Sequence, residues 1–178
     1  MKFKNILLIL VTLNLFSISS LFAESAGEHI DDATIASKTK TALIGEKTVK
    51  ARNINVEVSK GVLQLSGFVD SETEESTALN IANGVAGVKE VLDAIVVSPG
   101  SRSAGEVLDD TSIAAKLKTK LTAETGLGDA TAITTEVKRK HIILAGFVAN
   151  ESVRSKALEV ASSINGVAKV HNLIAIKK

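Results

Sequence analysis

The stretch Gly61–Glu72, GVLQLSGFVDSE, returns about 79 residues later as His141–Glu151, HIILAGFVANE. In the first copy Leu63, Leu65 and Val69 alternate with Gln64, Ser66 and Phe68, the two-residue period of a β-strand. Just upstream, Ile54, Val56 and Val58 alternate with Asn55, Glu57 and Ser59, which predicts a second strand. Lys60-Gly61 between them suits a tight hairpin, because glycine tolerates positive φ. The second copy has Arg139-Lys140 at the turn and no glycine there, so a different turn is predicted for it.

The repeat extends outward from these phrases. Asp31-Asp32 aligns with Asp109-Asp110, Ile35-Ala36 with Ile113-Ala114, and Leu43 with Leu121. Downstream, Gly87-Val88 aligns with Gly166-Val167 and Val91 with Val170. Before the second hairpin, Ile113, Leu117 and Leu121 show the four-residue spacing of a helix face, and each unit is read as beginning with such a helix. The paired aspartates are expected at the helix start, facing its orphan N–H groups. After each Gly-Phe-Val phrase, Ser71 with Glu74, and Asn150, predict caps of a second helix. Asn83-Gly84 and Asn165-Gly166 are expected to stop it. A last strand is predicted over 88–97 and 167–176, parallel to the phrase strand through a right-handed crossover. Each unit therefore reads α-β-β-α-β. The fold class is α+β, with two helices on one face of a three-stranded mixed sheet, twice over. The segment around SPGSRSAGE holds the only proline and reads as a flexible linker. The division is a leader over 1–23, a disordered stretch over 24–30, a first domain over 31–97, a linker over 98–108 and a second domain over 109–178.

The leader, MKFKNILLILVTLNLFSISSLFA, has Lys2 and Lys4 ahead of a short apolar run and a small residue, Ala23, at its end. That is the plan of a secretory signal peptide, and the run is shorter than the roughly 20 residues of a membrane span. Cleavage after Ala23 is expected, which gives a periplasmic protein. The chain has no cysteine, so disulfides and a lipid-bearing cysteine are excluded, and no covalent lipid anchor is expected. Cleavage removes two lysines and turns a net charge of +1 into −1. A near-neutral exported chain lacks the basic footprint of a nucleic-acid binder.

The amphipathic helix, the Ile-x-Val strand, Gly-Val-Leu-x-Leu-Ser-Gly-x-Val, the alanine-spaced helix and Gly-Val-x-x-Val together resemble the BON domain, and both copies carry them. Gly67 and Gly146 match that family's characteristic glycine, Gly87 and Gly166 its Gly-Val pair, and Asn172 its late asparagine. Asp93 and Lys140 depart from the pattern. The resemblance implies a non-enzymatic role in envelope and osmotic stress, without cofactors. Its implied partners are unfolded client proteins or phospholipid surfaces.

Candidate sites are few. His141 and His171 begin strands of the second domain and can meet on one face, but no third metal ligand is evident, and no metal is expected. Glu72, Glu74 and Glu75 fall in a first helical turn, where they complement the dipole. Gly84-Val-Ala-Gly87 has the spacing of a phosphate clamp but is absent from the second copy and reads as a helix stop. No catalytic set can be assembled. Lys116, Lys118 and Lys120 on the second domain's first helix, with Lys138, Arg139 and Lys140 at its hairpin, form a candidate surface for lipid or partner. The plain alternative is a solvated face. On the sheet face away from the helices, Val62, Gln64, Ser66 and Phe68 correspond to His141, Ile143, Ala145 and Phe147, with Leu173 on the last strand. A face so apolar needs cover. Ile143, Phe147 and Leu173 therefore mark either a contact between the two domains or an open client patch.

The leader predicts that the mature chain starts at or near Glu24. Intact-mass measurement of the exported protein should give that N-terminus; a membrane-bound species retaining Met1 would contradict it.

Overall fold

The computed structural model describes residues 20–178, with side chains from Asp31 onward except that of Leu127. Most of the leader lies outside the described residues. Helix α1 (Ser20–Gly45) is followed by a 3-10 turn (Ala51–Asn53), strands β1 (Ile54–Ser59) and β2 (Val62–Val69), helix α2 (Glu72–Asn83) and strand β3 (Glu90–Val97). The second unit runs α3 (Ala104–Thr125), the short α4 (Leu127–Thr131), β4 (Ile133–Lys138), β5 (His141–Val148), α5 (Glu151–Ser162), β6 (Lys169–Asn172) and β7 (Ala175–Ile176).

The topology is α+β, twice. β2 lies between antiparallel β1 and parallel β3. β5 likewise pairs antiparallel with β4 and parallel with β6 and β7. The last strand of the second unit is thus split in two. At the break the Asn172 carboxamide oxygen lies 3.4 Å from the Ile174 N–H. Asp93 does the same for Ile95 at 2.9 Å in the first unit, so aspartate fills the role of asparagine there.

Helices cover one face of each sheet. Ile35 and Leu43 of α1, with Ala78 and Ala82 of α2, pack on Leu63, Leu65 and Val69. Ile113, Leu117 and Leu121 of α3, with Ala157, Val160 and Ala161 of α5, pack on Ile142, Leu144 and Val148. These are the residues whose periodicity marks the inner faces. Ser71 caps α2 by accepting the Glu74 N–H, and Asn150 caps α5 by accepting that of Val153. The Glu74 carboxylate reaches back to the N–H groups of Lys50 and Asp70.

Four local expectations need correction. The aspartate pairs do not start helices, because α1 begins at Ser20 and α3 at Ala104. Asp32 and Asp110 instead brace the hairpins. Asp32 accepts the N–H groups of Lys60 and Gly61 at 2.7 and 2.8 Å, and Asp110 those of Arg139 and Lys140, both at 2.9 Å. The two hairpins therefore turn alike. Arg139 and Lys140 have φ of 52° and 65°, as Lys60 and Gly61 have 54° and 82°. The left-handed region costs a residue with a Cβ about 1–2 kcal/mol, and two charge-assisted bonds can offset that.

The helix stop also differs. α5 ends at Ser162 before Ser163, the counterpart of Gly84, whose φ of −83° any residue can adopt. The glycine that matters comes later, at Gly87 and Gly166, with φ of 96° and 91°. The last correction concerns the linker. Ser103 and Glu106 form a reciprocal capping box, so residues 104–108 are already helix. The preceding residues are held by Lys138 and Arg139 of the second hairpin.

Gly67 and Gly146 make the tightest backbone approaches. A Cβ at Gly67 would lie 2.0 Å from the Asn53 carbonyl oxygen, and one at Gly146 2.3 Å from that of Ala132. Leu65 and Leu144 are both fully buried. Truncating either leucine to alanine should cost about 2–5 kcal/mol in chemical denaturation. Gly67→Ala should be destabilising although it only adds a methyl group, because the added carbon meets backbone. Wild-type stability in that variant would contradict the close approach.

Candidate functional site

The faces turned away from the helices meet each other. Phe68 and Ala94 of the first unit form one buried cluster with Ile143 and Ala145 of the second, with Val96 and Leu173 at its edge. Ile143 is fully buried, and Phe147 is 7% exposed. Gln64 crosses the middle. Its amide nitrogen donates to the Leu173 carbonyl at 2.7 Å, and its oxygen accepts the Gly146 N–H at 2.6 Å.

Further contacts come in exchanged pairs. Asn55 donates to Glu136, and Thr134 donates to Glu57. In the repeat Asn55 corresponds to Thr134 and Glu57 to Glu136. The two bonds are therefore one contact written twice with the units swapped, as across the two-fold axis of a symmetric dimer. Burial pushes the Glu136 carboxyl upward, against the lowering effect of Asn55, the Phe68 N–H and the charge of Arg102.

An interface of this kind has two corresponding ends. At one end sits the hairpin Lys138–Lys140. Lys138 donates to the Ser98 carbonyl at 2.6 Å and pairs with Asp70 at 3.4 Å. Arg139 donates to the carbonyls of Pro99 and Ser101 at 2.7 and 3.1 Å and approaches Glu106 at 3.6 Å. Lys140 pairs with Asp109 at 3.2 Å. Arg102 inserts behind the turn, donating to Asp110 at 3.0 Å and to the Val137 carbonyl at 3.2 Å. Asp110 is 2% exposed. Burial alone would raise its pKa, but the bonds from Lys140, Arg102 and Arg139 hold it below the usual carboxylate range. The hairpin cations are thus engaged with the residues that join the two domains.

The other three lysines do not share one face. Lys116 and Lys120 border a groove of about 490 Å³ with Thr119, Ser163 and Asn165. Lys118 turns to the opposite side, toward Thr122 and Thr134. All three are exposed and form no ion pair among the described residues.

At the far end of the interface, Val62, Leu92, Phe147, Ala175 and Ile176 line a cleft of about 370 Å³ rimmed by Lys60, Lys89, Glu90 and Lys178. An adjoining cleft of about 420 Å³ shares Ser59 and Phe147 with it and adds Asp32, Ala36, Glu57, Val58 and Lys177. Both volumes fall in the range of ligand pockets. Sequence reasoning missed these clefts because each wall comes from a different unit.

The two histidines also meet, with ring centroids 5.7 Å apart. His171 Nε2 is buried without a hydrogen-bond partner. Among the described residues no group of three or more His, Cys, Asp or Glu side chains could hold a metal. Desolvation, then the charges of Lys169 and His141, depress the His171 pKa. A depressed histidine contributes stability that is full above its unfolded value of about 6.5 and is lost as pH falls through the folded one. His171→Leu, which installs the residue found at the corresponding Leu92, should therefore flatten the loss of stability on acidification from about pH 7.5 to about pH 5. Urea midpoints across that range give the comparison; parallel pH profiles for variant and wild type would contradict it.

Comparison with known proteins matches the BON domain model to residues 31–99 and 109–178. The chain is 30% identical to osmotically-inducible protein Y of Escherichia coli (strain K12) over 85% of its length and 75% of that protein. It is 31% identical to the outer membrane lipoprotein DolP of Haemophilus influenzae, over 82% of this chain and 75% of that one. The repeated α-β-β-α-β unit, its paired glycines and the match across both copies lead to one conclusion: the chain belongs to the BON-domain family, with two such domains in tandem.

Proposed function

We propose that this is a non-enzymatic exported protein that supports the cell envelope under osmotic stress by engaging client polypeptides. Kinship to a protein named for osmotic induction and to one named as an outer-membrane lipoprotein supports the setting. The observation that carries client binding is the apolar cleft over Phe147, Leu92 and Ile176, set between the domains and rimmed by charge. Such a cleft can hold an extended segment without chemistry. Ile143 has no surface to offer a client, and Leu173 edges the same buried cluster, so engagement belongs to the cleft rather than to a patch centred on them.

A second reading, contact with anionic phospholipid, is favoured by the unpaired lysines of α3. Each lysine near an anionic bilayer contributes about 1 kcal/mol. Lys116 and Lys120 act from one side and Lys118 from the other, and the hairpin cations are already engaged. Such binding would be weak and salt-sensitive.

Dilution of a urea-unfolded outer-membrane β-barrel protein into buffer tests the first reading. Stoichiometric amounts of the mature chain should lower light scattering severalfold at moderate salt. Unchanged scattering, together with flotation only with anionic vesicles, would transfer the function to the second reading.

A further inference from the structure

The two ends of the domain interface are built on one frame but are filled differently. At the joined end the chain leaves β3 with the Ser98 N–H bonded to the Val69 carbonyl at 2.8 Å. At the other end the Lys177 N–H bonds the Val148 carbonyl at 2.9 Å, the same contact one repeat later. Asp110 braces one hairpin as Asp32 braces the other. Phe68 and Phe147 occupy corresponding positions at the two ends.

Residues 98–102 show what this frame accepts. They run as a strap, with φ of 87° at Gly100, and present the carbonyls of Ser98, Pro99 and Ser101 to Lys138 and Arg139. The strap ends with Arg102, itself exposed, paired at 3.0 Å with the buried Asp110 carboxylate. The bonds to the strap's backbone are indifferent to its side chains, so the ion pair supplies the selectivity.

The far end offers the corresponding groups, with no strap over them among the described residues. Lys60 stands where Arg139 stands, Lys89 adds a cation along the same rim, and Lys178 there pairs with Glu90 at 3.2 Å. Asp32 corresponds to Asp110 but forms no ion pair among the described residues, and Glu57 lines the same cleft. The lock that seals the joined end is missing, because Ser59 replaces Lys138 and Ala149 replaces Asp70. Two adjoining clefts remain, with Phe147 between them.

We propose that the far end of the interface binds an extended polypeptide segment carrying an arginine or lysine, in the way residues 98–102 occupy the near end. Lys60 takes backbone carbonyls, Phe147 and Leu92 receive small or apolar side chains, and Asp32 receives the basic residue. This deepens the client-binding reading by giving the client segment a place and a chemistry.

The test uses the mature full-length chain and a fluorescent, end-blocked peptide with the sequence of residues 96–104, VVSPGSRSA. Fluorescence anisotropy should show saturable binding. Replacing the peptide's arginine by glutamate should weaken it at least about tenfold, the loss of one charge-assisted contact. Asp32→Asn should do the same, and Lys60→Glu, at an exposed side chain, guards against an Asp32 variant that fails to fold. Lys116→Glu should leave binding unchanged. The proposal is overturned if no binding occurs. It is equally overturned if binding survives both Asp32→Asn and Lys60→Glu; loss in Asp110→Asn would then show the peptide displacing the chain's own strap. Peptide binding and aggregation suppression separate the two claims. Suppression without peptide binding removes the cradle and keeps the client reading. Peptide binding without suppression keeps the cradle and removes the client reading.

Discussion

Two open sheets, each covered by helices on one side, are left with an apolar second side that water will not tolerate. Everything distinctive in this protein follows from how that surface is covered. Phe68, Ala94, Ile143 and Ala145 cover one another, and Gln64 satisfies backbone groups of the opposite unit where a flat apolar contact would leave them bare. An antiparallel sheet usually shows polar residues on its uncovered face. Here the second copy replaces Gln64 and Ser66 with Ile143 and Ala145, and that substitution makes sense only against a partner.

The interface also explains the fate of the charged residues. Lys138, Arg139 and Lys140 look like a basic patch when read along the chain. In space they hold the connection between the domains, and Asp70, Glu106, Asp109 and Asp110 balance them. Exposed pairs of this kind contribute little individually. The buried Asp110 differs, because it joins a hairpin in a strained conformation, a helix and the linker through one carboxylate.

Much of the architecture was legible in the sequence. The alternation around Leu63, Leu65, Ile142 and Leu144 assigned the inner faces, and the glycines that abut Asn53 and Ala132 were recognisable from the repeat itself. What was hidden depended on residues distant along the chain. The second hairpin lacks glycine yet turns like the first, because Asp110 reaches it from a helix about 30 residues upstream. The linker looked flexible by composition and is fixed by two side chains of a later turn. The clefts were invisible because periodicity describes one strand at a time, and their walls belong to both domains.

The reciprocal pairs Asn55–Glu136 and Thr134–Glu57 bear on how such a molecule arises. Contacts that exchange under the repeat are what a homodimer leaves behind when its gene is duplicated and the copies are fused. Fusion ties the two halves permanently at high local concentration and frees each from matching the other. Leu92 and His171, Ser59 and Lys138, and Ala149 and Asp70 show that freedom, since each pair occupies one position of the repeat with different chemistry. A symmetric ancestor would present two equal grooves and bind two equal ligands. The tandem chain instead fills one end of the interface with its own strap and leaves a cleft at the other, so two near-identical units make a molecule whose two ends are no longer equivalent.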